Sequence, residues 1–502
     1  MRRESLWLAI VASALLACSG CGGRETKPTH AGKTAKAGKA GKAVAAADSG
    51  GVAAKSGNYL HMVVPSVVQR DSAFAVRMRL ITYAGLPNYD VEGTLRMRVE
   101  TWGASKFPEG GLKLEPATEG FYVGNGIRLE DKGVQLLRGS VPDDTVKAIA
   151  NPVNVVDQVE WRIFWGDLNG HTDLSSGSLA PAVYWWYARA VALLDFVALT
   201  DNDKWKTKTL DDSTYAEVAH NLQQFDKPGE FVPLLGFTWT SAEHGDRLVL
   251  FSQPPKSLPT PRSGVDTPAK LRAALPAGSI VALAHPSGST EASPADPAEV
   301  GTSREGLVEI YSELGIFERA GTHRPSTRET AGASVDDLLG HGLRPGFIAT
   351  SDTHLTTPGN PRALIDGDRR YPGGLTAVLA KELTRAAVLD ALRARRCYAT
   401  TGQRVLLEFT VDGQMMGSEI RVKKGHVAEA YGSLGAVAKW TRVEIVGPAG
   451  AIGVLTPDPK DADVVQLRAK TPPVQQATWL YLRGVDERGD MAWSSPVYLI
   501  PD

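Results

Sequence analysis

Trp165-Gly-Asp-Leu-Asn-Gly-His171-Thr-Asp-Leu-Ser-Ser-Gly177 ends an apolar run with metal-ligand residue types and then turns. Far downstream, Ser351-Asp352-Thr353-His354 offers the same types again. The two stretches read as halves of one metal site, because histidine nitrogen with carboxylate oxygen is the donor set that suits zinc, manganese or iron. Asn169 stands where a second histidine would complete the first half.

Around these stretches, from Trp161 to about Arg396, short apolar runs alternate with amphipathic stretches. The runs are Leu194–Thr200, Phe231–Gly236, Ile280–Ala284, Leu307–Tyr311 and Gly346–Thr350. The helical stretches are Leu179–Ala192, Thr214–Phe225, Thr267–Leu275, Val335–Leu339 and Leu383–Arg393. Buried strands alternating with helices predict parallel β/α units, and hence a barrel or an open sheet. Each run is followed by polar residues: Asp201-Asn202-Asp203, Thr238-Trp239, His285-Pro286 and Ser351 to His354. Such residues at the C-terminal ends of parallel strands converge on one mouth. Asp352 and His354, two apart on extended backbone, face the same way.

The flanks have another rhythm. Phe74-Ala-Val-Arg-Met-Arg-Leu-Ile-Thr and Thr94-Leu-Arg-Met-Arg-Val-Glu alternate with period two, so residues 57–157 predict a β-sandwich-like domain. Strand patterns return in Val405–Gly413, Thr441–Val446 and Trp479–Gly484, predicting a second such domain over 405–502, with the β/α region at 158–404 between them.

Arg2 and Arg3 precede an apolar run from Leu6 to Ala17, the pattern of an export signal. The run is short for a membrane-spanning helix, which needs about 20 apolar residues. Leu15-Leu16-Ala17-Cys18 resembles a lipoprotein box, with Cys18 as the lipidated residue of segment 1–21 and Cys21 as the alternative. Residues 22–56, rich in Ala, Gly and Lys, lack the apolar surface to offset ordering entropy and predict a disordered tether. The expected location is a bacterial cell envelope, exported and held to the membrane through a lipid anchor. Cys397 is the single cysteine of the remaining chain, so no intramolecular disulfide forms there. At 502 residues and a net charge of -1, the chain has no basic excess that would suit nucleic acid.

No Gly-x-Ser-x-Gly elbow and no Walker loop occurs, which leaves metal-assisted hydrolysis as the reaction class. The first motif, Leu194-Asp-Phe-Val-Ala-Leu-Thr-Asp-Asn-Asp203 and Gly346-Phe-Ile-Ala-Thr-Ser-Asp-Thr-His354 together resemble the motifs of the PHP (polymerase and histidinol phosphatase) superfamily. Tyr398–Gly402, Val411–Gly417 and Ala492–Pro496 are similar to C-terminal signatures of its carbaryl-hydrolase-like bacterial branch, a domain of unknown function. The resemblance spans about residues 160 to 500. It implies an α/β fold with a distorted (β/α)7-type barrel, up to three divalent ions, and hydrolysis, often of phosphoesters.

Carried over position by position, His171 matches the second histidine of the first motif, His285 a histidine at a later strand end, and Asp352 and His354 the last ligand pair. Asp201 matches an acidic residue that orients a ligand. Asn169 and Asn202 replace histidines, Thr238 falls where a bridging glutamate is usual, and Asp246 stands where histidine is common. The resemblance thus makes His171, His285, Asp352, His354, Asn169, Asn202 and Asp246 the metal candidates and Asp201, His285 and His354 the catalytic ones. Asparagine is a weak ligand, and losing a glutamate removes the charge that lets two cations sit close together. Fewer than three ions, or none, are expected. Two functions follow. One is an envelope-anchored hydrolase that attacks a small phosphoester, ester or amide with metal-activated water. The alternative is a catalytically inactive binding module whose Trp185, Trp186, Trp205 and Trp239 line a ligand cleft.

Overall fold

The computed structural model describes residues 51–52, 58–82, 85, 87–88, 93–100, 105–107, 111–114, 121–140, 147–288, 293–296, 305–359 and 371–502. The expected export signal, the lipidation site at Cys18 and most of the tether fall outside them.

The apolar runs become the strands of one large sheet, and their burial explains their composition. In chain order these are β1 (Arg162–Asp167), β2 (Phe196–Leu199), β3 (Val232–Trp239), β4 (Arg247–Phe251), β5 (Ile280–Leu283), β6 (Glu305–Ser312), β7 (Gly346–Ala349), β8 (Leu375–Ala380) and β9 (Cys397–Thr400). Every residue of β2, β3, β4, β5 and β7 is buried. Strands covered on both faces need continuous apolar sequence rather than alternation.

Neighbouring strands run β7-β6-β5-β4-β3-β2-β1-β8-β9. β1, β2 and β3 are mutually parallel, as are β5, β6 and β7. β4 is antiparallel to both β3 and β5, and β8 to both β1 and β9. Among the described residues, five α-helices pack along the sheet: α1 (Pro181–Ala190), α2 (Asp212–Leu222), α3 (Pro268–Ala274), α4 (Val335–Gly340) and α5 (Arg385–Arg393). They lie where the sequence periodicity puts them. Local chemistry sets their starts: Asp211 accepts the Thr214 N–H, Ser334 that of Asp337, and Thr384 that of Ala387.

A regular (β/α)7 barrel is not evident among the described residues. The protein is mostly sheet with few helices, and β3 turns directly into antiparallel β4 without a helix. The outer edge of β7 is satisfied by hydroxyls instead of a strand ladder. Ser495 Oγ accepts the Phe347 N–H at 2.9 Å, and Thr376 Oγ1 accepts that of Ala349 at 3.1 Å. Beyond β7 the chain still meets β1's continuation, through a parallel bridge between Gly170 and Thr353.

The sheet does not stop at β9, which pairs with the Met491–Ser494 strand and continues through Thr478–Asp486 to Trp440–Gly447 and Gly450–Leu455. A second sheet, Gln414–Met415, Leu406–Val411, Glu429–Gly435 and Val464–Lys470, packs on that extension. The two approach closely at Gly432, where a Cβ would lie 2.4 Å from Leu482. The N-terminal strands build their own core from Leu60, Met62, Val76, Met78, Leu80, Ile127, Leu129 and Leu137. They join the large sheet through Trp165, whose indole donates to Ser66 Oγ at 3.0 Å, and through an Arg77–Asp195 ion pair of 2.6 Å. Asp195 precedes β2, so this junction lies at the other end of β2 from Asp201. No helix among the described residues is long and apolar enough to cross a membrane.

Candidate metal centre

Asp167, the last residue of β1, joins the two sequence halves. Its Oδ1 accepts the N–H groups of Asn169 (3.3 Å) and Ser351 (3.0 Å), and its Oδ2 accepts that of Gly359 (2.9 Å). Burial pushes its carboxyl up to about 6 against the pull of those donors. Backbone bonds from His171 N to Thr353 O and from Asp352 N to Asn169 O, each 3.0 Å, complete the junction. Gly170 permits it, since a Cβ there would sit 2.6 Å from Tyr184 Oη and 3.0 Å from Thr353 Cγ2.

The junction gathers His171, Asp352 and His354 so that one ligand atom from each lies within 4.8 Å of the others. His171 Nε2 is 3.3 Å from Asp352 Oδ1, and the His171 and His354 rings stack with centroids 4.8 Å apart. His171 and Asp352 are buried, whereas His354 is partly exposed. Two ligands on one zinc ion, each about 2.0–2.2 Å from it, stand at most roughly 4.4 Å apart. The His171–Asp352 pair meets that limit, and His354 reaches it with a sub-ångström shift. His171 Nδ1 is buried without a hydrogen-bond partner. The donor set therefore fits a single divalent cation.

His285 approaches from the other side, with Nε2 3.6 Å from Asp352 Oδ2. Glu309, wholly buried on β6, holds it: Oε2 lies 2.7 Å from His285 Nδ1 and accepts the His285 backbone N–H at 3.1 Å. The Nδ1 contact is electrostatic rather than an aligned hydrogen bond. A carboxylate behind one ring nitrogen, with the other facing the site, is the usual support of a ligating histidine. Burial disfavours the imidazolium, but Glu309, Asp352 and Asp246 outweigh it and push His285 up to about 10. Asp352 goes the other way. Burial opposes its charge, yet His285, His171 and His354 hold it well below the usual carboxylate range. Both residues have left-handed backbone, with φ of 44° at His285 and 51° at Asp352, a conformation that costs a non-glycine residue free energy and clusters at functional sites.

The remaining candidates take supporting places, with Asn169 and Asp246 close enough to act on Asp352 and His285. Asp201 accepts the Thr172 N–H (2.7 Å), the Thr172 hydroxyl (2.5 Å) and the Ser175 hydroxyl (2.5 Å), so it shapes the turn after His171. Asn202 bonds Ser176 and Thr240. Thr238 turns its hydroxyl back to Thr200 O at 2.8 Å. Asp246 accepts the Ser241 N–H at 3.0 Å, and burial raises its carboxyl to about 6. Asn169 points Nδ2 at Asp352 Oδ1, 3.2 Å away, while its Oδ1 accepts from Thr200 Oγ1 at 3.1 Å.

The four tryptophans do not line one cleft. Trp185 and Trp239 are fully buried in the main core and Trp186 packs against it. Only Trp205, on a short hairpin, comes near the site, its ring centroid 5.9 Å from that of His354.

Glu309 and Asp167 lie outside the residues that the sequence motifs mark as candidates. The signal for Glu309 is a lone carboxylate inside the apolar run Leu307-Val-Glu-Ile-Tyr311. Asp167 ends an apolar strand in the same manner.

A family described as a protein of unknown function, DUF3604, matches residues 349–434, which include Asp352 and His354. Uncharacterized proteins from two chlamydiae are similar over much of the chain. The one from Chlamydia muridarum is 25% identical over 88% of this chain and 73% of its own length. The one from Chlamydia trachomatis is 27% identical over 69% and 59% respectively. Among solved structures, a two-domain protein from Bacteroides vulgatus containing a predicted PHP-like metal-dependent phosphoesterase is similar at 12% identity, covering 65% of this chain and 91% of that one, with a TM-score of 0.36.

Proposed function

We propose that this chain is a metal-dependent hydrolase of PHP-like type with a reduced metal centre, exported and lipid-anchored at Cys18 in a bacterial envelope. The observation that carries the hydrolase assignment is the His171–Asp352–His354 cluster, two of its members buried, faced by a histidine that Glu309 supports.

His171, Asp352 and His354 would hold the ion, with His285 Nε2 as a fourth donor. A bound divalent cation lowers the pKa of water and polarises a carbonyl or phosphoryl oxygen. The protein's own part is positional. Asp167 holds the two halves together, Asp201 sets the turn that presents His171, and Glu309 keeps His285 aimed at Asp352. His354, the partly exposed member, lies where a small phosphoester, ester or amide enters, with Trp205 beside it. Histidine ligands must shed their protons to bind, so occupancy falls as pH drops.

Metal analysis tests this. The full chain, purified in mild detergent, incubated with zinc or manganese and desalted, is expected to keep about one equivalent. His171→Ala is expected to release it and to abolish cleavage of p-nitrophenyl phosphate or p-nitrophenyl acetate. Retention below about a tenth of an equivalent by the unaltered chain sinks the assignment.

A further inference from the structure

We propose that Asn169 limits this centre to one ion, its side-chain amide turning an N–H rather than a lone pair toward Asp352. The inference rests on the metal centre described above and adds its stoichiometry.

Asn169 is 1% exposed, and both ends of its amide are occupied. Nδ2 donates to Asp352 Oδ1 at 3.2 Å, and Oδ1 accepts from Thr200 Oγ1 at 3.1 Å. Thr200 is itself anchored, because its hydroxyl oxygen accepts the Gly170 N–H at 3.1 Å. Turning the amide over would set its carbonyl oxygen against the Asp352 carboxylate and leave the Thr200 hydroxyl only the longer bond to Gly170 O at 3.4 Å. The charge of Asp352 therefore selects the orientation that shows hydrogens, not lone pairs, to the site. A cation cannot share that side of Oδ1 with an N–H donor.

The surroundings agree. A second ion needs an anionic or imidazole ligand on the β2–β3 side of Asp352. At those strand ends Asn202 and Thr238 are neutral and bonded elsewhere, and the buried Asp203 carboxylate accepts the Thr240 N–H at 2.8 Å. Asp201 already accepts three hydrogen bonds from the turn. The single ligand cluster among the described residues is His171, Asp352 and His354.

The test compares bound metal in three full-length chains: unaltered, Asn169→Asp and Asn169→His. Each is loaded with manganese or zinc, desalted and analysed for metal per protein, and its melting temperature is read in chelator and in metal. Asn169→Asp is the closest in shape, and Asn169→His guards against a carboxylate pair that prevents folding. The expected result is one equivalent for the unaltered chain and a second for at least one variant, with a larger metal-induced rise in melting temperature for that variant. One equivalent in all three, or two or more in the unaltered chain, overturns the role of Asn169 while leaving a metal centre standing. No metal in the unaltered chain removes the metal centre itself and this inference with it.

Discussion

At the scale of single residues, the site is held by polar groups that never face a ligand. Asp201 illustrates it. Its carboxylate spends its lone pairs on Thr172 and Ser175, and Thr172 is the neighbour of His171. Asp201→Ala is expected to strand buried donors at a cost of about 1–3 kcal/mol each. It should also lower retained metal, since the turn that presents His171 loses its anchor. Urea unfolding and metal analysis of the same preparation check both effects, and unchanged values in both would show that the turn is set by backbone bonds alone.

At the scale of elements, β7 is the least conventional part. Its run Gly346-Phe-Ile-Ala has a ladder on one side only, to β6, yet all four residues are buried. A buried edge strand must send its N–H groups somewhere. Ser495 and Thr376 supply the acceptors, and Ser495 Oγ in turn donates to Cys397 O at 2.6 Å. Ser495→Ala leaves the Phe347 N–H without its acceptor, while the Cys397 carbonyl keeps the Ser495 backbone N–H at 3.2 Å, with an expected loss of about 1–3 kcal/mol in unfolding free energy. Ser495→Thr keeps the hydroxyl and is expected to lose less. Equal stability of the alanine variant and the unaltered chain would mean that another group takes over the edge.

At the scale of the whole molecule, the C-terminal strands brace the segment beside the site. Glu318, 1% exposed, receives Arg483 Nη1 and Tyr481 Oη at 2.5 Å each and Trp493 Nε1 at 3.1 Å, all from the extension of the large sheet. The neighbouring Phe317 packs on His285, with ring centroids 5.9 Å apart. Removing one partner of a buried ion pair leaves an uncompensated charge and costs about 3–5 kcal/mol, far more than an exposed pair is worth. Arg483 also donates Nε and Nη2 to buried Glu444, so Arg483→Met is expected to show that loss, and Arg483→Met with Glu318→Leu to recover the part due to Glu318, Glu444 keeping Arg442. A single variant as stable as the parent in urea would show that Tyr481 and Trp493 suffice to hold Glu318.

The sequence by itself determined the element types, and the reason is local. Burial on both faces forces continuous apolar runs such as Leu194–Thr200, and period-3.6 stretches between them make the helices. It also determined that polar residues of metal-ligand type end successive strands, and several of them, Asp167 and Asp201 among them, anchor the turns that follow. Only the tertiary structure decided which of them meet. His171 and Asp352 lie 181 positions apart and touch because Asp167 and the Gly170–Thr353 bridge close the ends of β1 and β7 on each other. Glu309 shows its purpose only once β6 is seen beneath His285. The direction of the Asn169 amide, on which the ion count turns, is set by two partners, Thr200 and Asp352, neither of them its neighbour in the chain. Side-chain orientation at a buried site follows from the field of distant charges and donors, which no local pattern encodes.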